Sequence, residues 1–158
     1  MNEILQGLVQ AFWLVISLDT ELITISWRSL YVTLTALLIS ILIAVPLAAF
    51  LVVNHFRFQR LIIAILNALM GLPPVVVGLI VYILFSRSGP LGVLGLLYTT
   101  SVMIVAQAII ITPLIASLSH QAMRERWTDY QNLLISINTS KMQRVKTLIW
   151  DSKRALIT

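Results

Sequence analysis

The sequence contains no cysteine, so disulfide bonds and thiolate chemistry are excluded. Charge is scarce as well: 11% of the 158 residues are charged, whereas 59% are apolar. No carboxylate lies within the long apolar runs. A proton relay through an acidic residue inside the membrane is therefore not supported. The chain also lacks a G-x-x-x-x-G-K-[ST] phosphate loop, an H-E-x-x-H motif, a G-x-S-x-G motif and a Cys/His cluster. We therefore expect neither an enzyme nor a bound metal or cofactor.

The apolar residues come in runs long enough to cross a bilayer. Three spans are predicted, at about Leu30–Val53, Leu61–Phe85 and Leu96–Leu118. Residues 4–18 are amphipathic but short, so we interpret them as a helix lying in the membrane interface, with a short first transmembrane helix as the alternative. The expected fold is an all-α, polytopic membrane helix bundle.

The whole chain is interpreted as one transmembrane domain. Residues 1–26 would form the interfacial helix and an external segment, and residues 27–120 the three transmembrane helices. Residues 121–154 would form a cytosolic loop, and residues 155–158 would start a further helix. Because a single apolar turn cannot form a membrane helix, we expect the polypeptide to be truncated at its C-terminus, with a frayed end of the bundle as the alternative.

Positive charge is concentrated in one stretch, since seven of the eleven Lys and Arg residues lie between Arg124 and Arg154. A basic bias of this kind indicates topology and lipid headgroups, not nucleic acid. Short cytoplasmic loops are enriched in Lys and Arg. Residues 54–60 and 123–154 are therefore predicted to be cytosolic, and residues 86–95 external.

The second and third predicted spans carry residues that a lipid-facing helix would not tolerate. Gly71, Pro73 and Pro74 interrupt the second span, and two adjacent prolines remove two backbone donors. Asn67 and Gln107 must find hydrogen bonds, so they should face other helices or a water-filled path. Broken helices recur in the substrate paths of transporters, which makes these five residues candidates for a translocation path. A kink that only shapes packing, and amides that only join helices, are the alternatives.

The basic stretch has a helical pattern of its own. Thr128 or Asp129 can cap a helix whose apolar stripe follows at helical spacing: Tyr130, Leu133, Leu134 and Ile137. Asn138 tolerates the left-handed backbone that ends many helices. Ser140 can cap a second helix that carries Met142, Val145, Leu148 and Ile149. Two short amphipathic helices joined at a fixed turn can dock in a partner's groove, and an ordinary basic loop is the alternative.

These residues resemble a known family, the membrane-spanning permease subunits of ABC importers. The family's cytosolic coupling loop reads E-A-A, three residues, Gly, nine residues, then I-x-L-P. In this sequence the corresponding positions are Asn132-Leu133-Leu134, Asn138, Leu148 and Trp150-Asp151, so the spacing agrees although the letters differ.

Two further parts of the sequence carry the resemblance. Tyr130, Ser140 and Lys141 match the surroundings of the coupling loop. The segment NALMGLPPVVVGLIVYILFSRSGPLGVLGLLYT, residues 67–99, is similar to the oxyanion branch of the family and most of all to tungstate-type permeases.

The resemblance implies a fold of the type I ABC importer permease kind in the plasma membrane of a prokaryote. It implies as partners a second copy of the chain, a cytosolic ABC ATPase that hydrolyses ATP, an extracytoplasmic substrate-binding protein and membrane lipids, but no nucleic acid. The residues that would couple to the ATPase are Tyr130, Leu133, Leu134, Ile137, Asn138, Ser140 and Lys141.

The function that the resemblance implies is import of an oxyanion, tungstate first, with molybdate or another oxyanion as the alternative. Two functions of other kinds are alternatives to transport. One is a membrane adaptor that transports nothing, and the other is a fragment of an ion channel.

Overall fold

A computed structural model describes residues 19–157 together with positions 4, 6, 7, 13 and 17. The interfacial helix predicted over residues 4–18 lies outside the described residues, apart from those five positions. The described chain is all-α, as predicted, and contains no strand within this range. Its elements are α1 (Thr20–Val53), α2 (Gln59–Met70), α3 (Pro74–Phe85), a 3₁₀ turn (Gly92–Leu94), α4 (Thr100–Ser136) and α5 (Lys141–Ile157).

Helix α1 begins at Thr20, well before the predicted boundary at Leu30. The cause is a local cap, because the Asp19 carboxylate accepts hydrogen bonds from the backbone N–H groups of Glu21, at 2.8 Å, and Leu22, at 3.4 Å. Helix α1 then continues through Pro46 to Val53. A proline inside a membrane helix is tolerated when neighbouring groups satisfy the freed backbone carbonyl.

A stripe of small residues joins α1 to α4. Four side chains spaced four residues apart on α1 are completely buried: Ala36, Ser40, Ala44 and Ala48. The Ser40 hydroxyl lies 3.5 Å from the backbone oxygen of Ala108 and 3.1 Å from the hydroxyl of Thr112 on α4. Small residues let two membrane helices approach closely, and van der Waals contact then replaces the missing hydrophobic driving force. The small-residue stripe is therefore one contact between the two long helices, and Val52 and Val53 add another with Met123 and Trp127.

The second predicted span is two helices and not one kinked helix. The chain bends by 101° between helices α2 and α3, across the break at Gly71–Pro73. The turn satisfies part of its own backbone, since Leu72 N–H bonds to Leu69 O at 3.2 Å and Val76 N–H bonds to Pro73 O at 2.9 Å. Pro74 is the first residue of α3, where its missing N–H costs nothing.

Packing on α4 gives α3 its direction. Val77, Val81 and Phe85 on α3 are buried against Val102 on α4. Two helical segments are long and apolar enough to cross a membrane, namely α1 and the first part of α4, Thr100–Asp129. The α2–α3 pair makes a third crossing if it is one broken span.

Helix α4 begins at Thr100, not at Leu96, and runs without interruption to Ser136. It passes straight through the boundary predicted at Thr128 or Asp129, so that prediction is wrong. The Thr128 hydroxyl donates to the backbone oxygen of Glu125 at 2.6 Å instead of capping a new helix. The first of the two predicted coupling helices is therefore the end of the last membrane-crossing helix.

Candidate coupling site and translocation path

The turn between α4 and α5 is defined by the local sequence. Asn138 has a φ of 52°, the left-handed conformation that was predicted for it. Its N–H bonds to Ile135 O at 3.0 Å, and the N–H of Thr139 bonds to Leu134 O at 3.3 Å. This pair of bonds is a Schellman motif, which satisfies carbonyls at the end of α4 that would otherwise lack donors. We call residues 137–140 the elbow.

The start of α5 is fixed by a second local device. The Ser140 hydroxyl accepts a bond from Gln143 N–H at 3.3 Å, and the Gln143 side-chain oxygen accepts one from Ser140 N–H at 2.8 Å. This reciprocal arrangement is a capping box. The capping role of Ser140 is confirmed, whereas the role of Gln143 was missed although the S-x-x-Q spacing is visible in the sequence. Two independent motifs therefore hold the elbow in one conformation.

A small core lies beneath the elbow and attaches it to the membrane helices. Leu134 on α4 and Leu148 on α5 are buried together with Val52, Val53 and Trp127. Val145 and Ile149 pack against the same core. Leu134 is 8% exposed, so it supports the elbow and does not present itself to a partner as predicted.

Other predicted coupling residues do point outward. Leu133 and Ile137 are 63% and 64% exposed. Met142 on the first turn of α5, which was not among the predicted coupling residues, is 81% exposed. Lys141 lies beside them and is exposed, and the side chain of Tyr130 lies outside the described set. We call Leu133, Ile137 and Met142 the coupling surface. Exposed apolar side chains grouped at one end of a molecule are typical of an interaction site.

The two amides predicted for a translocation path each join a pair of helices. Asn67 on α2 accepts a hydrogen bond from the hydroxyl of Ser117 on α4. Gln107 on α4 donates to the hydroxyl of Thr33 on α1 at 3.3 Å. Both amides face other helices as expected, but they bind different neighbours and do not converge on one site.

The break itself is exposed. Gly71, Pro73 and Pro74 lie on the surface of the described chain, so they are not in the interior of a bundle formed by these helices alone. A cleft of about 420 Å³ between α1, α2 and α4 is lined almost entirely by apolar side chains, with Thr112 as its polar member. An oxyanion requires several donors, and Thr112 is the one polar side chain that this cleft offers among the described residues.

Three known proteins are similar to the chain along most of its length. It is 35% identical over 156 residues to the tungstate uptake system permease protein TupB of Peptoclostridium acidaminophilum, which covers 99% of this chain and 68% of the relative. It is 30% identical over 162 residues to TupB of Campylobacter jejuni, covering 100% of this chain and 66% of the relative. The chain belongs to the permease family of anion ABC transporters.

A third relative of the permease is a probable anion ABC transporter permease protein of Haloferax volcanii, 29% identical over 139 residues. That match covers 88% of this chain and 60% of the relative. No family model matches the permease. No solved structure matches it.

Membership confirms the predicted resemblance to the oxyanion branch of ABC importer permeases. The permease is a multi-pass protein of the plasma membrane, and its general function, anion permeation within an ABC system, follows from its family. Its relatives are membrane subunits of ABC transporters, which work with an ATPase and a substrate-binding protein and are not themselves catalytic.

Proposed function

We propose that the permease is the membrane subunit of an ATP-driven importer of tungstate, with ATP hydrolysed by a separate cytosolic ATPase. The observation that carries the proposal is the similarity to two tungstate uptake permeases, which extends over essentially the whole chain. The Haloferax relative is named only for an anion. Molybdate or another oxyanion is therefore the second candidate substrate.

The coupling surface is the part of the permease that binds the ATPase. Leu133, Ile137 and Met142 offer apolar anchors next to the positive charge of Lys141. The Schellman motif and the capping box set the elbow before any partner arrives, so little conformational entropy is lost on docking. Buried apolar anchors carry much of the binding energy of such interfaces, and losing one commonly costs about 1–3 kcal/mol.

A second copy of the permease completes the translocation path. Gly71, Pro73 and Pro74 are exposed at the break between α2 and α3, where a membrane chain needs a neighbour for its irregular backbone. An extracytoplasmic binding protein delivers the oxyanion to this path, and membrane lipids cover the remaining apolar surface. Closure of the ATPases would move the elbow and rock the helices between two states.

The coupling role is tested by a double variant, Leu133→Asp with Ile137→Asp, in the transporter reconstituted with its ATPase and binding protein. We expect normal membrane insertion but loss of ATPase retention in a pull-down. The matched control is Asn132→Asp with Ser136→Asp. It adds the same charge at exposed positions on the same helix but removes no apolar surface. If both double variants retain the ATPase equally, the docking surface lies elsewhere.

The substrate is tested in the same reconstituted system by the ATPase rate with tungstate, molybdate or sulfate on the binding-protein side. Stimulation by tungstate at the lowest concentration supports the proposed cargo. A membrane adaptor would retain the ATPase without substrate-dependent hydrolysis. A channel would pass anions without ATP.

A further inference from the structure

A second cleft lies at the basic end of the molecule, and none of its lining residues belongs to the coupling surface. It has a volume of about 330 Å³ and is formed by the turn between α1 and α2 on one side and by α4 on the other. The two segments predicted to be cytosolic from their charge therefore meet here. A cleft of this size has room for a small ion with its water, since one water occupies about 30 Å³ of liquid volume.

The polar lining of this cleft is cationic or neutral. It consists of His55, Gln59, Arg60, His120, Arg124, Thr128 and Gln131, and none of the described residues that line it is acidic. The nearest acids along α4 are Glu125 and Asp129, each one residue beyond a lining residue. They are rotated by about 100° around the helix and lie outside the lining.

The two arginines have their donors available. Within the part of the chain that the structure describes, neither Arg60 nor Arg124 makes a hydrogen bond or an ion pair with a carboxylate. A guanidinium group offers five N–H donors in a planar fork that matches the oxygens of a phosphate-like anion. Two such groups on opposite walls of one cleft form a pair of donors for a single anion.

His120 supplies a polar group on a buried wall of the cleft. Its side chain is 5% exposed, yet among the described residues it has no hydrogen-bond partner. Its ring nitrogens are not completely buried, so they can reach a ligand in the cleft. Gln59 fixes the opposite wall, because its amide nitrogen donates to Leu51 O at 2.6 Å and ties the turn to the end of α1.

We propose that this anion cleft binds a tetrahedral oxyanion, held between Arg60 and Arg124 with His120 on the buried wall. The chemistry is shared by two sources, the phosphate of an anionic lipid headgroup and a free oxyanion on the same side of the membrane. The site lies at the end of the helices, outside the apolar cleft between α1, α2 and α4. It is independent of the proposed transport function and stands even if tungstate is not the cargo.

The test measures binding and not transport, using the purified permease in phosphatidylcholine nanodiscs. The probes are inorganic phosphate and tungstate, followed by calorimetry, and phosphatidylglycerol, followed by native mass spectrometry of retained lipid. The key variant is Arg60→Gln with Arg124→Gln, two exposed positions at which the fold should survive. The matched control is Arg28→Gln with Arg87→Gln, which removes the same charge from exposed positions outside the cleft.

The variants separate the two sources. A free oxyanion is identified if the affinity for phosphate or tungstate falls by about tenfold or more for each arginine removed from the cleft, while the control variant keeps the wild-type affinity. A lipid headgroup is identified by a different result. In that case neither ion binds, the wild type and the control retain phosphatidylglycerol, and the cleft variant loses it. In either case Arg60→Lys with Arg124→Lys should be intermediate, because lysine keeps the charge without the fork. Equal binding by cleft variant and control, or no binding of any probe, overturns the proposal.

Discussion

Replacing Asn138 with valine should open the elbow while leaving the rest of the permease folded. Asn138 has a φ of 52° and an exposed side chain, so the substitution changes backbone preference without changing burial. Asparagine tolerates this left-handed conformation, glycine adopts it without penalty, and a β-branched residue strongly disfavours it. We therefore predict that the elbow is about equally stable in the wild type and in Asn138→Gly, and much less stable in Asn138→Val.

The size of the effect follows from the motif that Asn138 supports. A side chain with a normal Cβ pays about 1–2 kcal/mol in the left-handed region. That penalty acts on the two hydrogen bonds of the Schellman motif, including the bond from Thr139 N–H to Leu134 O at 3.3 Å. An equilibrium shifted by 1–2 kcal/mol changes a population by a factor of about 5–30. The open form of the elbow should become more populated by that factor.

Hydrogen exchange at the backbone amide of Thr139 reports this opening directly. We expect Asn138→Val to speed the exchange by about 5–30-fold relative to wild type, whereas Asn138→Gly should change it by less than about threefold. In the reconstituted transporter the valine variant should be weak and the glycine variant active. If valine and glycine give the same exchange rate, the left-handed backbone is not what holds the elbow.

Two further predictions concern topology and the helix break. In the cysteine-free background, a cysteine at Ser88 should be labelled from outside intact cells and one at Ser140 should not; the reverse pattern would invert the topology. Replacing Pro73 and Pro74 together with alanine should join α2 and α3 into one helix and reduce uptake without preventing insertion. Spin labels at the two ends of the pair should then move from about 23 Å to about 40 Å apart, as the 1.5 Å rise per residue and the 101° bend require. An unchanged distance would mean that packing on α4, and not the prolines, sets the bend.

The features that the sequence predicted best are those with local causes. The left-handed Asn138 and the cap at Ser140 depend on residues within one turn, and the structure has both. The break at Pro73 and Pro74 was also expected, because two missing donors interrupt a helix wherever it packs. Its 101° angle was not, since α3 takes its direction from contacts with Val102 on α4.

The incorrect predictions have two kinds of cause. Some depend on contacts with distant parts of the chain, and others rest on polar residues that can either begin a helix or lie within one. Thr128 and Asp129 can cap a helix, but α4 continues through them, because neither Gly nor Pro interrupts the chain there. Which of two adjacent leucines faces outward depends on where the end of α1 lies. Leu134 meets Val52 and Val53, which leaves Leu133 exposed.

One missed feature was visible in the sequence. Ala36, Ser40, Ala44 and Ala48 recur every four residues along α1, a spacing that places them on one face of a helix. In a membrane helix such a row of small residues marks the face that packs closely on a neighbour. The face of α1 that packs on a neighbouring helix could therefore have been predicted from the sequence, although the identity of that neighbour could not.

The continuity of α4 has a mechanical consequence. Its last 23 residues, from Leu114 after the internal Pro113 to Ser136, contain neither Pro nor Gly and form one rod of about 35 Å that ends at the elbow. A hinge between membrane and elbow would absorb a push at the coupling surface, whereas a rigid rod transmits it. Contact of this rod with the end of α1, where Ala48 packs in the same core as Met123 and Trp127, would then act as a fulcrum, so that a sideways push on the elbow would displace the membrane end of the rod in the opposite direction.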